Sequence, residues 1–359
     1  MPHVTQAAGD SHVQLSQRTL YAILPRRLKE EALVRKLAAR LPAMQGAPAS
    51  LVLEPPSEAQ RHRYQIDFAR IGSQLHVKLD LDRMASDPYQ FDMIWRRLPP
   101  LIHIMARTAP GVTSATASIS DGGGNIADEL AYCADEPQAI LVPDPGFMKP
   151  EIYQSFRRLA ENRPGQWASR SDTLLWRGVI SGPGDTTTDA MDLDDPNLKQ
   201  RVRLCLALRG LDDVDVRLIV PERDRLARSA RQAMEAHGIL GNYVPPARWI
   251  DVKFAIDIDG PSNSWGNLYT RMLLGCCVLK VASPAGFRQW FYDEFEPWTH
   301  YIPVAADLSD LVEKVEWCRT HDQACREIAA AGQDFALRRT RESETIATVQ
   351  RINDRLGPG

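Results

Sequence analysis

"VKFAIDIDGPSNSWGNLYTRMLLGCCVLKV", residues 252–281, decides how this chain is read. Its length is that of one strand–helix–strand unit. Phe254, Ile256 and Ile258 alternate with Lys253, Ala255, Asp257 and Asp259, the period of a strand, so both acids share one face at its carboxyl end. Trp265, Leu268, Tyr269, Met272 and Leu273 then fall at i, i+3, i+4, i+7 and i+8, one apolar helical stripe. Ser264, Asn267 and Arg271 lie on the opposite side, and Gly275 stops the helix. Ser262, Asn263 and Ser264 are all suitable N-caps. "CCVLKVA" is the second strand and carries Lys280.

In such a unit the loop after the first strand lies at the ligand-binding edge of the sheet. The free N–H groups of the helix start favour an anion there. A pyrophosphate suits the Gly260–Trp265 loop, with Arg271 or Lys280 adding charge. The plain alternative is a turn between strand and helix, since Asp-Gly and capping serines are common in connections. Asp-x-Asp occurs at 80/82, 192/194, 213/215 and 257/259, too often for Asp257 and Asp259 to signal a metal site. Two carboxylates so placed could hold magnesium beside a diphosphate, but the metal-free reading ranks above it.

Working outward, the rest of the second half repeats the alternation. "TLLWRGVI" (173–180) is a strand running into a Ser-Gly-Pro-Gly loop, and "LKQRVRLCLALRG" (198–210) a helix. "VDVRLIV" (214–220) is a strand, "RDRLARSARQAMEAHG" a helix. After residue 281 come an aromatic helix near 286–294, the strand "HYIPV" and a long helix from Asp307. The first half is less regular. Residues 1–17 look loose and 30–41 read as an amphipathic helix. Residues 63–82 form a hairpin around Gly72, two helices are broken by Pro99-Pro100, and "VTSATASIS" (112–120) is a strand ending at "DGGGN". "QAILVP" (138–143) is another strand, followed by a helix over 148–162, and 161–172 is polar enough for a linker. Strand–helix alternation implies parallel sheets with right-handed crossovers. The expectation is an α/β protein of two lobes, 1–165 and 166–359, with the last helix able to pack back on the first lobe.

Bulk numbers narrow the class. With 359 residues the chain exceeds one typical core. It has 44% hydrophobic and 25% charged residues, an ordinary soluble composition. The 43 basic and 46 acidic side chains give a net charge of -3, which argues against a nucleic-acid partner. Cys133, Cys205, Cys276, Cys277, Cys318 and Cys325 form no CxxC pair and read as buried thiols in a reducing compartment. No apolar leader opens the chain and no run spans a bilayer, so a cytoplasmic protein is expected, with peripheral membrane contact left open.

Three segments carry a family resemblance. "KFAIDIDGPSNSWGNLYTRMLLGCCVLKVAS", the later run "QWFYDEFEPWTHYIPVAADLSDLVEKVEWCRTHDQACREIAAAGQDFA" and "LLWRGVISG" together resemble glycosyltransferase family 90. That family includes bacterial lipopolysaccharide-modifying transferases, fungal capsule-associated proteins and animal protein O-glucosyltransferases and O-xylosyltransferases. The likeness covers roughly residues 120–335 and is most specific over 253–335. It implies a GT-B-like fold: two Rossmann-like lobes with a cleft between them, the second holding the nucleotide-sugar and the first the acceptor. It also implies inverting, metal-independent transfer from a nucleotide diphosphate sugar such as UDP-glucose or UDP-xylose. Lipopolysaccharide, capsule or a lipid-linked glycan is the implied acceptor, with contact at the inner membrane surface. Eukaryotic members have Arg directly after the Ser-Trp pair, gripping the diphosphate. Here Gly266 stands, as in bacterial relatives, and Arg271 is the candidate to take over.

Inverting transfer needs a base for the acceptor hydroxyl and N–H dipoles or cations for the leaving diphosphate. Asp121, at the end of the 112–120 strand, aligns with the family's catalytic Asp; the bland alternative is a turn aspartate. Arg177, near the end of the strand opening the second lobe, has a fork suited to phosphate, against an inter-strand salt bridge. Gly178, Ser181 and Gly182 would let backbone approach the nucleotide. Arg203 reads as surface. Of the aromatic set Trp290, Phe291, Tyr292, Phe295, Trp298 and Tyr301, packing explains most better than a sugar subsite. A competing class is an inactive GT-B protein that binds a nucleotide or glycan. A nicotinamide oxidoreductase ranks last, because no G-x-G-x-x-G follows a first strand.

Overall fold

The computed structural model describes residues 31, 35, 50–56, 61–80, 88–162, 167–188, 191, 194–221, 226 and 228–358. The expected loose segment 1–17, nearly all of the 30–41 helix and the middle of the 161–172 linker fall outside them. The described residues hold two sheets.

The first sheet comprises β1 (Ser50–Glu54), β2 (Gln65–Ile71), β3 (Gln74–Lys78), β4 (Ser114–Ser118), β5 (Leu130–Ala131) and β6 (Ile140–Leu141), in the order β1-β3-β2-β4-β5-β6. It departs from an all-parallel, Rossmann-like sheet at one strand: β2 runs antiparallel to both β3 and β4, while the other pairs are parallel. The cause is local. Only Gly72 and Ser73 separate β2 from β3, and so short a link can join strands only as a hairpin.

The second sheet comprises β7 (Ser171–Val179), β8 (Val214–Ile219), β9 (Val252–Asp257), β10 (Cys277–Val281) and β11 (Ile302–Val304), all parallel. Its order is β11-β10-β9-β7-β8. Counted from β7 as first strand this is the doubly wound order 2-1-3-4-5, which reverses between β7 and β9. The loops after those two strands therefore flank the switch point.

Several helices differ from expectation. Pro88–Ala106 is one helix that continues through Pro99 and Pro100. Its fully buried Leu98, Leu101, Ile102 and Ile104 supply packing that outweighs the lost backbone bonds. The aromatic segment 286–294 forms only a 3-10 turn, Tyr292–Glu294, and the long C-terminal helix is three: Leu311–Thr320, Asp322–Arg338 and Arg341–Leu356.

Two apolar clusters lie on the two faces of the second sheet. Trp176, Phe254, Ile256 and Leu279 face one, with Val202 and Leu311 from flanking helices. Leu175, Ala255 and Val278 face the other, which continues through Trp249 and Tyr269 to Tyr132, Phe147 and Tyr153 of the first lobe. The last helix packs on Pro88–Ala106 and β6, with Arg107 paired to Glu342 at 2.8 Å. All six cysteines are free and buried. Among the described residues no helix is long and apolar enough to cross a membrane.

Candidate functional site

At the switch point the loops leaving β7 and β9 touch. Gly182 has φ +95 and stands so close to the next loop that a Cβ would lie 3.0 Å from the Gly260 carbonyl. Only glycine meets both demands. Arg201, on the helix Gln200–Leu208, fastens the two loops from beneath: its guanidinium donates to the carbonyls of Asp259 (2.8 Å), Ile258 (3.1 Å) and Val179 (3.1 Å) and to Ser181 Oγ (2.9 Å). Burial lowers this guanidinium below its ordinary range, against the pull of Asp257 and Asp259. Sequence reasoning missed Arg201, although it shares a helical stripe with Cys205 and Leu208, both buried.

The loop from Gly260 to Trp265 is held from inside. Ser264 Oγ donates to Asp257 Oδ1, and Lys280 Nζ lies 3.4 Å from Asp257 Oδ2. Asp257 and Lys280, both buried, are thus occupied with each other and the loop, and Lys280 also sits 4.7 Å over the Tyr292 ring. Asn263 Oδ1 accepts from the Trp265 N–H at 2.8 Å. None of the three expected caps binds the helix Gly266–Leu273: its N-cap is Trp265, without a side-chain hydrogen bond. Trp265 has φ 54, an uncommon conformation for so bulky a residue and one that concentrates at functional sites.

Around this loop polar groups are left over. Asp259 Oδ1 and Oδ2, Ser262 Oγ, Asn263 Nδ2 and Arg271 Nη1 are buried without a well-formed hydrogen bond, as is Tyr292 Oη. Burial pushes the Asp259 carboxyl up to about 6, Asp257 adding to the effect, while Lys280, Ser283 and Arg201 oppose it. Arg271 stacks 3.5 Å over Trp249, and burial lowers it to about 10. Cys133 of the first lobe is part of the wall, its thiol pushed up to about 12 by burial, with Ser262 and Asn263 opposing.

The first lobe meets this loop edge to edge. Ala134 and Arg288 pair through their backbones (2.9 and 3.3 Å), and a Cβ on Gly122 would fall 2.9 Å from Phe287 and 3.6 Å from Ser262 Cβ. Asp121, one residue earlier, is thereby placed at the seam. Arg97 donates to its carboxylate and, at 2.8 Å, to the Ile119 carbonyl, while its guanidinium lies 4.5 Å over the Trp265 ring. Gly266 faces Tyr153, whose hydroxyl occupies the space a Cβ would need. Tyr153 in turn donates to Asp144 (3.2 Å), a carboxyl that burial pushes up to about 6 although the Gly146 and Phe147 N–H groups donate to it.

Two expected donor contacts are corrected. Arg177 spends all five N–H groups inside the fold: Nε on the Asn242 carbonyl, Nη1 on the Trp176 and Asp215 carbonyls, Nη2 on both Asp215 carboxylate oxygens. It is the inter-strand pair, because β8 brings Asp215 alongside. Gly178 leaves room for the Trp176 ring, which a Cβ would strike, rather than for a nucleotide. Trp290, Phe291 and Phe295 are buried core, whereas Trp298 is exposed beside Trp317 and Lys314. Arg203 is half-buried and donates to the Asp307 carbonyl.

A model of the family "Glycosyl transferase family 90" matches residues 132–347. "Uncharacterized protein 179R" of Invertebrate iridescent virus 6 is 41% identical over 184 residues, 47% of this chain and 15% of that protein. Protein O-glucosyltransferase 2 of Danio rerio is 37% identical over 100 residues, 28% of this chain and 19% of its own. The matches thus span less than a fifth of these two relatives. A crystal structure of a glycosyltransferase from Rickettsia africae ESF-5 is 9% identical, covers 94% of this chain and 85% of that one, and has a TM-score of 0.38.

Proposed function

On the premise that the chain belongs to glycosyltransferase family 90, we propose that it is an inverting, metal-independent glycosyltransferase. It moves glucose or xylose from a UDP-sugar to a hydroxyl of a cell-surface glycan such as lipopolysaccharide or capsule, and works at the cytoplasmic face of a membrane. The observation that carries this reading is the seam: Asp121 of the first lobe adjoins Gly122, which packs against Ser262 in the loop that starts an uncapped helix. A carboxylate and a helix start without a side-chain cap thus share one edge. The name of the O-glucosyltransferase relative supports glucose as the sugar.

The acceptor oxygen attacks the anomeric carbon from the face opposite the diphosphate. The bond from that carbon to the phosphate oxygen breaks, its electron pair leaving with the diphosphate, and Asp121 takes the acceptor proton. The positive end of the helix Gly266–Leu273 and Arg271, whose Nη1 has no hydrogen-bond partner, stabilise the departing charge. Lys280 and Ser264 occupy Asp257, which leaves no free carboxylate pair for a cation and favours the metal-independent route.

Thermal unfolding in the presence of UDP-, GDP- and ADP-sugars tests the donor. UDP-glucose at a hundred times its dissociation constant should add about 2.7 kcal/mol of stability, and the other nucleotides much less. A flat response to every nucleotide-sugar sinks the reading. The Arg97 pair on Asp121 favours a second one, a protein that binds nucleotide or glycan without turnover. Stabilisation by UDP-glucose with no UDP release on prolonged incubation selects it.

A further inference from the structure

Arg97 was not a candidate from the sequence, yet it touches both sides of the seam. It lies on the rigid helix Pro88–Ala106, and its own carbonyl accepts the hydroxyl of fully buried Tyr132. From that anchor its guanidinium reaches three ways: to the Ile119 carbonyl at 2.8 Å, to the Asp121 carboxylate, and over the Trp265 ring at 4.5 Å. Tyr132 backs the same ring at 6.1 Å. Trp265 is the strained residue of the Ser262–Trp265 loop, with φ 54, and immediately precedes the helix Gly266–Leu273.

From this arrangement we infer that Arg97 is a positioning residue: it ties the seating of the Ser262–Trp265 loop to the orientation of the Asp121 carboxylate. A planar guanidinium can present its edge to a carboxylate and its face to an indole at once; an ammonium cannot. If the loop shifts, the indole leaves the guanidinium, and the cation is then fixed by Asp121 and Ile119 alone. The carboxylate is aligned when the loop is seated and loses that constraint when it is not. At 36% side-chain exposure Asp121 stays within reach of an acceptor, whereas Arg97, at 14%, is sheltered behind it. The inference rests on the transferase reading for its catalytic meaning, but the coupling itself is a property of these side chains.

Two measurements test it, with UDP-glucose as the donor probe and UDP as the loop ligand. In turnover, measured as UDP release with water as the acceptor of the glucosyl group, Arg97→Ala should lower kcat by about 100-fold, the scale of a misplaced catalytic group, with KM changed less than about threefold. Free guanidinium ion should restore a good part of that kcat, and Arg97→Lys should fall between. Arg107→Gln, which removes a cation one residue beyond the end of the same helix, should leave kcat unchanged. In the second measurement, proteins labelled with ¹³C at the aspartate carboxyls are titrated with UDP, the Asp121 resonance being identified by its loss in Asp121→Asn. UDP should move that resonance in the wild type and not in Arg97→Ala. Three results overturn the inference: a resonance that responds equally without Arg97, one that never responds in the wild type, or a kcat loss that guanidinium cannot rescue. Where wild-type protein releases no UDP but the Arg97-dependent response is present, the coupling holds and the transferase reading fails. Where turnover is robust and the response ignores Arg97, the reverse is true.

Discussion

Arg177 and Arg271 stand on the same sheet-and-helix unit, and the fold treats them oppositely. Beside β8, every donor of Arg177 meets an acceptor, and Asp215 also accepts from Arg217 at 3.1 Å. Past the end of β9, Asp259, Ser262 and Asn263 keep polar atoms buried with no good partner, and so does Arg271 beneath them. Each such group costs about 1–3 kcal/mol relative to a satisfied one. The difference separates an arginine that holds strands together from the groups assigned above to the proposed donor site.

The sharpest way to break this contrast is at the seam. Asp121→Asn should reduce transfer by about a thousandfold, within the range for a lost general base, while UDP-glucose binding by calorimetry changes little. Loss of binding in parallel would show the carboxylate to be a structural part of the donor side. Next in size is Asp259→Asn. Its carboxyl is raised from 3.8 to about 6 by burial, so the fold disfavours the ionised form. That cost is fully present above pH 6 and disappears as pH falls towards 3.8. The variant should therefore gain about 3 kcal/mol in urea unfolding at pH 7.5, a gain that vanishes near pH 4. If the unspent atoms belong to a ligand, the same change should weaken donor binding by about tenfold or more. Stabilisation without loss of affinity would detach Asp259 from the site.

Gly266→Ala should cost about 1–3 kcal/mol, because the new methyl meets the Tyr153 hydroxyl, itself held by Asp144. Tyr153→Phe in the same chain should recover part of that loss in thermal unfolding; no recovery would mean the helix start yields instead. The smallest effect belongs to the satisfied side. Arg177→Ala should lower stability by about 2 kcal/mol through its charged hydrogen bonds and leave donor affinity within about twofold. A tenfold loss of affinity would erase the distinction between the two arginines.

Much of this was legible before any coordinates. The 252–281 unit appears as read: β9, the helix Gly266–Leu273 and β10 follow from period-two and period-3.6 stripes that packing on both faces of the sheet enforces. The loop between them lies at the carboxyl end of β9, where the strand–helix–strand reading puts it. What failed was side-chain destination. Arg177 reads like a phosphate ligand because nothing local reveals that β8 will set Asp215 beside it. Arg97 and Tyr153 were invisible because their partners, Trp265 and Gly266, lie more than a hundred positions away in the chain. Pro99-Pro100 looked like a break, yet long-range burial kept the helix whole.

The apolar cluster that runs from Trp249 and Tyr269 across to Tyr132 and Phe147 sets how this molecule can breathe. Swinging the lobes apart as rigid bodies would bring these large rings into water, at about 25 cal/mol for each Å² uncovered. Shifting the short polar segments at the rim uncovers far less. For the proposed transferase, admission of substrate and escape of product are therefore cheapest at the rim, because that route leaves the shared cluster covered.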